Sequence, residues 1–369
     1  MKYYIIAGEA SGDLHASNLI SAIRVHDHAA EIRAWGGDLM AAQGAHLVKH
    51  YRDLAFMGFA EVARNIRTIL NNLKLAKRDI IAFQPDALIL VDYPGFNLRI
   101  ARFAHRQGLR VFYYISPQVW AWKQSRVFTI RKVVDQMLVI LPFEQDFYRK
   151  FGVNVSFVGH PLLDAISNFS PDEDFCRHNS LSQKPLVALL PGSRKQEIRA
   201  KLPVMLRMAE QFPDYQFVVG GAPGIEAAFY NKFLIGSGVR VLFGQTYQLL
   251  AHAQAALVTS GTATLETALF NVPQVVCYKA NPISYHIARY LIKVKFISLV
   301  NLIMDREVVK ELIQHELEPG RLRNELDAVL HGPKRASILD DYKHLREKLG
   351  GPGASVRAAR HIIESFDRS

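Results

Sequence analysis

Short apolar runs alternate with longer helix-patterned stretches along almost the whole chain, and they do so in two successive series. The first holds Tyr3 to Ala7, Glu31 to Trp35, Ala87 to Val91, Arg110 to Ile115, Gln136 to Leu141 and Ser156 to Val158. The second holds Leu186 to Leu190, Gln216 to Val219, Arg240 to Phe243, Ala255 to Thr259 and Gln274 to Tyr278. Apolar strands separated by helices cannot pair as hairpins and build parallel α/β layers instead. At 369 residues the chain is too long for one such core, so two α/β domains are expected. Between the series lies the polar stretch Asn168 to Lys184, which has the composition of a linker. From about Val308 the pattern reads as helical and charged, with Gly/Pro breaks at Gly332-Pro333 and at Gly350 to Gly353. The expected division is 1–166, 167–348 and a terminal helix, 349–369, that returns to the first domain.

Two strand-to-helix junctions share a phosphate-cradling look. Gly8 to Asp13 follows the first strand, and Ser260 to Glu266 follows Ala255 to Thr259. A helix start presents unpaired N–H groups at the positive end of the peptide dipole, so each junction can hold an anion. Two of them in two α/β halves suggest a cleft between domains. Gly8 to Asp13 reads equally as a capping turn, because its glycine spacing is not the dinucleotide fingerprint. For Ser260 to Glu266 a capping box fails on register, since the residue three before Glu266 is Ala263, which has no hydroxyl. A carboxylate one turn inside such a helix can accept from ribose hydroxyls while the N–H groups hold a diphosphate.

Other segments carry chemistry and a plainer alternative together. Arg194, in Pro191-Gly192-Ser193-Arg194, ends the first strand of the second series; it is either a surface arginine or a fork for diphosphate oxygens. Asp92, before Tyr93-Pro94-Gly95, is a turn former or a general base at a strand end. Between Gly58 and Ile80, Val62, Ile66, Ile69, Leu70 and Leu73 recur at helical spacing, with Arg64, Arg67, Lys74 and Arg78 on another face. That is a core-facing helix with a solvated basic face, or a membrane-surface helix. The aromatic segment Ile283 to Ile303 is ambiguous in the same way. Trp120 and Trp122 pack or line the cleft, and His160 is a ligand contact or a hinge.

Composition excludes several classes. The apolar fraction of 49% and charged fraction of 21% are those of a globular chain, and no apolar run is long enough to span a bilayer. Met1 to Ala7 is too short for a secretory signal, which points to the cytoplasm. The two cysteines, Cys176 and Cys277, show no metal spacing, and neither a Ser-His-Asp order nor a lysine-bearing P-loop is present. The net charge of +11 favours anionic partners, but no nucleic-acid signature accompanies it.

Taken together the motifs resemble the lipid-A-disaccharide synthase family, inverting glycosyltransferases of GT-B architecture, in which two Rossmann-like domains face a cleft. The resemblance rests on AGEASGD (Ala7 to Asp13), WGGDLM (Trp35 to Met40), FMGFAEV (Phe56 to Val62), YISPQVWAW (Tyr114 to Trp122) and LPFE (Leu141 to Glu144). It continues through FVGHPLLD (Phe157 to Asp164), LLPGSR (Leu189 to Arg194), SGTATLE (Ser260 to Glu266), SLVNLI (from Ser298) and VVKELIQ (to Gln314). It implies transfer of 2,3-diacylglucosamine from its UDP derivative to the 6-hydroxyl of 2,3-diacylglucosamine 1-phosphate, giving a β-1,6 disaccharide and UDP. It also implies a UDP site at Ser193, Arg194, Ser260, Gly261, Thr262 and Glu266, with Asn301, Glu311 and Gln314 nearby. The acceptor would meet Glu9, Ser11, Asp13 and Asn97. Relatives often carry a second Asp where this chain has Gly95, so the base is expected to be Asp92, with Glu9 in reserve. No metal and no cofactor are expected. Partners are the two acylated sugars and an anionic membrane surface at the inner face of the cytoplasmic membrane, with a homodimer open through exchange of the terminal segment. The rival readings are another UDP-sugar GT-B enzyme, such as the peptidoglycan glucosaminyltransferase or a UDP-N-acetylglucosamine 2-epimerase, and a non-catalytic nucleotide-binding membrane module.

Overall fold

The computed structural model describes residues 1–53, 66–121, 124–281 and 295–367. The chain divides into two compact units, Met1–Asp164 with Leu349–Ser369, and Ala165–Lys348. FMGFAEV, Trp122, the start of the basic helix (Val62, Arg64) and most of Ile283 to Ile303 lie outside the described residues.

Unit 1 is built on a seven-stranded, wholly parallel sheet. Its strands are β1 (Lys2–Ala7), β2 (Glu31–Gly36), β3 (His46–His50), β4 (Ala87–Val91), β5 (Arg110–Tyr114), β6 (Gln136–Val139) and β7 (Val155–Phe157), in the order 3-2-1-4-5-6-7. Helices cover both faces, so the central strands are apolar without interruption. Alternation then sorts the side chains: Tyr4, Ile6, Leu88 and Leu90 enter one core, while Tyr3, Ile5, Ala7, Ile89 and Val91 enter the other. The terminal helix Ala354–Asp367 closes the second of these with Ala358, Ala359 and Ile362, all fully buried. Arg357 holds its start by donating Nε–H to the Val158 carbonyl at 2.8 Å.

Unit 2 has a six-stranded parallel sheet of order 10-9-8-11-12-13. Its strands are β8 (Leu186–Leu190), β9 (Gln216–Gly221), β10 (Arg240–Phe243), β11 (Ala253–Thr259), β12 (Gln274–Tyr278) and β13 (Lys310–Ile313). The stretch read as a linker is part of this unit. Phe175 and Leu181 are buried in its core, and the Asp172 N–H donates to Gln248 Oε1 at 2.8 Å. The helical reading after Val308 also fails at its start, because Lys310–Ile313 is β13. This strand and the unforeseen β3 lie at sheet edges, where strands need not be apolar on both faces and the sequence signal is correspondingly weak.

Each sheet reverses its strand order once, between β1 and β4 in unit 1 and between β8 and β11 in unit 2. At such a switch point the two following helices leave on opposite faces, opening a crevice at the strands' carboxyl ends. The registers Ala7 to Val91 and Leu190 to Val258 align the ends of each pair. Among the described residues no helix is long and apolar enough to cross a membrane.

Candidate active site

The switch point of unit 1 gathers Gly8 to Asp13 after β1 and Asp92 to Asn97 after β4. Gly8 must be glycine, since a Cβ there would come within 2.3 Å of the Tyr93 ring. Asp92 and Tyr93 both adopt left-handed backbone, with φ of 44° and 47°. That costs roughly 1–3 kcal/mol for each such residue and concentrates at functional turns. The turn is fastened from beneath by Asn97, which is fully buried; its Nδ2 donates to the carbonyls of Asp92 at 2.8 Å and Val91 at 3.2 Å. Tyr113 adds a hydroxyl bond to the same Asp92 carbonyl at 2.5 Å. Asn97 thus acts on the strand ends.

Asp92 is the perturbed carboxyl of this rim. Burial first, and the neighbouring Glu9 second, push its pKa up to about 6, against a bond from the Tyr93 N–H. A carboxyl poised there is ionised at neutral pH and basic enough to take a proton. Glu9 stands at the N-cap of helix Ala10–His26 without capping it, and Ser11 is exposed in the first turn. Asp13 turns inward: Oδ1 accepts the N–H of Gly37 at 2.7 Å and of Met40 at 3.2 Å, and Oδ2 that of Leu39 at 3.2 Å. It therefore caps helix Asp38–Ala42, which joins AGEASGD to WGGDLM.

Two further motifs have structural duties. Glu144 is buried and receives Ser116 Oγ–H at 2.8 Å, Trp120 Nε1–H at 3.0 Å and the Leu141 N–H at 3.1 Å, so LPFE and SPQVW form one knot. Burial pushes its pKa up to about 7. His160 is 4% exposed and accepts the Leu162 N–H at Nδ1; burial and His15 push its pKa down to about 3, keeping a neutral turn residue.

The switch point of unit 2 opens a pocket of about 420 Å³. Ser193, Arg194, Ser260, Gly261, Thr262 and Glu266 all line it, and so do Glu197, Thr246 and Thr259. Helix Thr262–Leu269 begins there without a side-chain cap, leaving its first N–H groups open to the pocket. Gly192 has a φ of 123°, and a Cβ would meet Glu197 Oε2 at 2.4 Å, which is why that loop needs glycine. Glu197 in turn accepts the Ser193 N–H at 3.3 Å and faces Arg194 Nη1 at 3.5 Å. Arg194 keeps an exposed side chain, free to swing onto an anion. The Ser260 hydroxyl is donated to the Ile297 carbonyl at 2.6 Å, so Ser260 offers its backbone here. Glu266 is largely buried, which raises its pKa, and Oε1 accepts from Tyr247 Oη at 3.1 Å.

Asn301, Glu311 and Gln314 do not line this pocket. Asn301 uses its amide on Val308, Val309 and Glu311, while Glu311 accepts the N–H groups of Ile297 and Ser298. Gln314 clasps both backbone groups of Ala280. These residues fasten the segments beside the pocket. Sequence reading missed Glu197, Thr259 and Tyr247. The first had a signal, an acid at the third position of a helix that follows a glycine turn; the other two had none outside the tertiary fold.

Residues 3–363 match the family model described as lipid-A-disaccharide synthetase. A protein of Syntrophus aciditrophicus (strain SB) named lipid-A-disaccharide synthase is 44% identical over 374 residues, covering 99% of this chain and 98% of that one. Among solved structures, the glycotransferase of kitacinnamycin superposes with a TM-score of 0.68 at 13% identity, covering 98% of each chain. The UDP-GlcNAc 2-epimerase from Neisseria meningitidis, bound to UDP-GlcNAc, gives 0.67 at 12% identity over 100% of both. At those identities the likeness is one of fold, the paired parallel-sheet architecture of GT-B enzymes.

Proposed function

The chain belongs to the lipid-A-disaccharide synthetase family of glycosyltransferases, and from that premise we propose that it transfers 2,3-diacylglucosamine from its UDP derivative to the 6-hydroxyl of 2,3-diacylglucosamine 1-phosphate. The products are the β-1,6 disaccharide 1-phosphate and UDP. The observation that carries this reading is the unit 2 pocket, where an uncapped helix start, an unburied arginine and a partly buried carboxylate share one crevice. The helix N–H groups and Arg194 hold the diphosphate, and Glu266 accepts from the ribose. In unit 1, Asp92 takes the proton of the attacking hydroxyl, its pKa held up by burial first and by the neighbouring Glu9 second.

Displacement with inversion needs the hydroxyl aligned opposite the departing UDP, and then little beyond a base and charge stabilisation at the leaving group. Arg194 and the helix start supply that charge, so a chelator leaves turnover intact; loss restored only by magnesium would overturn this part. The exposed Leu70, Leu75 and Ile81 with Arg67, Lys74 and Arg78 on helix Ile66–Phe83 support docking on an anionic membrane at the inner face of the cytoplasmic membrane.

The test is a mass-detected assay with both acylated glucosamines, with donor alone, and with Arg194→Ala. Disaccharide and UDP are expected only when both substrates are present, and the arginine variant is expected to be roughly 10- to 100-fold slower. Consumption of donor without acceptor would replace the transferase reading with an epimerase.

A further inference from the structure

Lys201, on helix Lys195–Gln211, is 1% exposed. Its ammonium donates to Oγ1 of Thr259, its one acceptor among the described residues. Burial lowers its pKa, opposed by two other titratable groups, Glu197 one turn earlier on its own helix and the buried thiol of Cys277 on β12. Burial pushes the Cys277 pKa up to about 12, so that neighbour is a neutral thiol, and Glu197 is already engaged with Ser193 and Arg194. A buried cation costs several kcal/mol unless opposite charge and acceptors surround it, and this one has few.

The bond has a directional consequence. An ammonium only donates, so the Thr259 oxygen must accept and its own O–H must point elsewhere. Thr259 ends β11, 8% exposed, and lines the pocket next to Ser260 and Gly261. No described residue accepts from its hydroxyl. The neighbouring Ser260 hydroxyl is spent on the Ile297 carbonyl.

We propose that the Thr259 hydroxyl is a further donor to an anionic oxygen of the diphosphate, and that Lys201 is the positioning residue that aims and polarises it. The inference rests on UDP occupying this pocket. A donor that is itself hydrogen-bonded by a cation is a stronger donor, and the hydroxyl carries the influence of a fixed positive charge to the leaving group without exposing the lysine. Placement behind the strand end also keeps Lys201 from competing with Arg194 for the same oxygens.

The test is calorimetric titration of UDP and of uridine into wild type, Arg194→Ala, Lys201→Met, Thr259→Ser, Thr259→Val and the double variant Lys201→Met/Thr259→Val, with the unfolding temperature of each. Thr259→Val alone strands the ammonium, so the double variant, which replaces the pair by apolar side chains of similar volume, carries the decision. It is expected to fold at least as stably as wild type and to bind UDP about tenfold more weakly, about 1.4 kcal/mol, with uridine binding unchanged. Lys201→Met is expected to lose affinity for UDP by several-fold, and Thr259→Ser to keep it. A double variant that binds UDP as wild type does, or loses uridine equally, overturns the inference while a weakened Arg194→Ala leaves the pocket assignment standing. Wild type that fails to bind UDP overturns both.

Discussion

The two strand-to-helix junctions at the switch points begin alike and end as different instruments. Both follow a central strand, and both start a helix with no side-chain cap. After β1 come Glu9 at the helix N-cap and Asp13 in the first helical turn, and the adjoining loop after β4 carries Asp92, so the rim of unit 1 is acidic. After β11 the loop carries hydroxyls and a glycine, and the adjoining loop after β8 carries Arg194. The backbone pattern is shared; the sign of the charge on the neighbouring loop differs. On the function proposed here, one rim handles a proton while the other holds an anion.

The largest expected effect tests the acidic side. Asp92→Asn removes the base while keeping size, and kcat is expected to fall by roughly 100- to 1000-fold in the two-substrate assay. The same change is expected to stabilise the fold at pH 8. The folded pKa of about 6 lies above the unfolded value, so the stability this carboxyl allows is present at low pH and is lost as pH rises through 6. Removing the ionisable group recovers roughly 1–3 kcal/mol in denaturant unfolding at pH 8. Near-normal turnover of Asp92→Asn would take the proton away from this rim altogether.

Asp13 is the next place to break the comparison, because the acidic rim then contains one carboxylate that is structural. Asp13→Ala strands three backbone donors, the N–H of Gly37 and those of Leu39 and Met40 in helix Asp38–Ala42, and roughly 2 kcal/mol of stability should go with them. The acceptor KM of the folded fraction is expected to hold. A variant of normal stability with a raised acceptor KM would return Asp13 to the binding surface.

The distinction between these carboxylates was only partly visible before folding. Apolar periodicity located the central strands, because β1, β4, β8 and β11 are buried on both faces and cannot hide their pattern. Edge strands such as His46–His50 and Lys310–Ile313 owe their identity to pairing with a neighbouring strand on one side only, and their own residues announce it weakly. The site behaved the same way. Arg194 and Glu266 line one pocket because a strand end and a helix start put them there, and spacing along the chain could place both on that rim. Asp13, Asn301 and Glu311, from matched motifs, and Asn97, expected at the acceptor, turn out to hold N–H groups and carbonyls of their own unit, Asn97 through its Nδ2. A motif preserves residues for either reason, and only the three-dimensional partners separate them.

Glu9 offers a smaller and sharper test. Its charge contributes to the raised pKa of Asp92, so Glu9→Gln should move the acid limb of the kcat/KM profile to lower pH. At pH 5.5 the variant is then expected to run roughly two- to threefold faster than wild type, with little change at pH 8. Collapse at every pH would instead make Glu9 the base and Asp92 its partner.

The smallest effect is expected at Gly95, where the family resemblance leads one to expect a second carboxylate and this chain has glycine. Gly95 lies in the first turn of helix Pro94–Arg106, and a Cβ built there meets nothing within 4 Å. Gly95→Asp therefore enters without a clash, exchanges glycine for a better helix residue and places a negative charge at the positive end of the helix. Together these should add about 0.5 kcal/mol in unfolding at pH 7. If Asp92 alone takes the proton, turnover should stay within about twofold of wild type, because transfer needs one base within reach of one hydroxyl. A tenfold rise in kcat, surviving in Gly95→Asp/Asp92→Asn, would show that position 95 takes the proton better than Asp92 does, and that the acidic rim of this chain works with its second carboxylate missing.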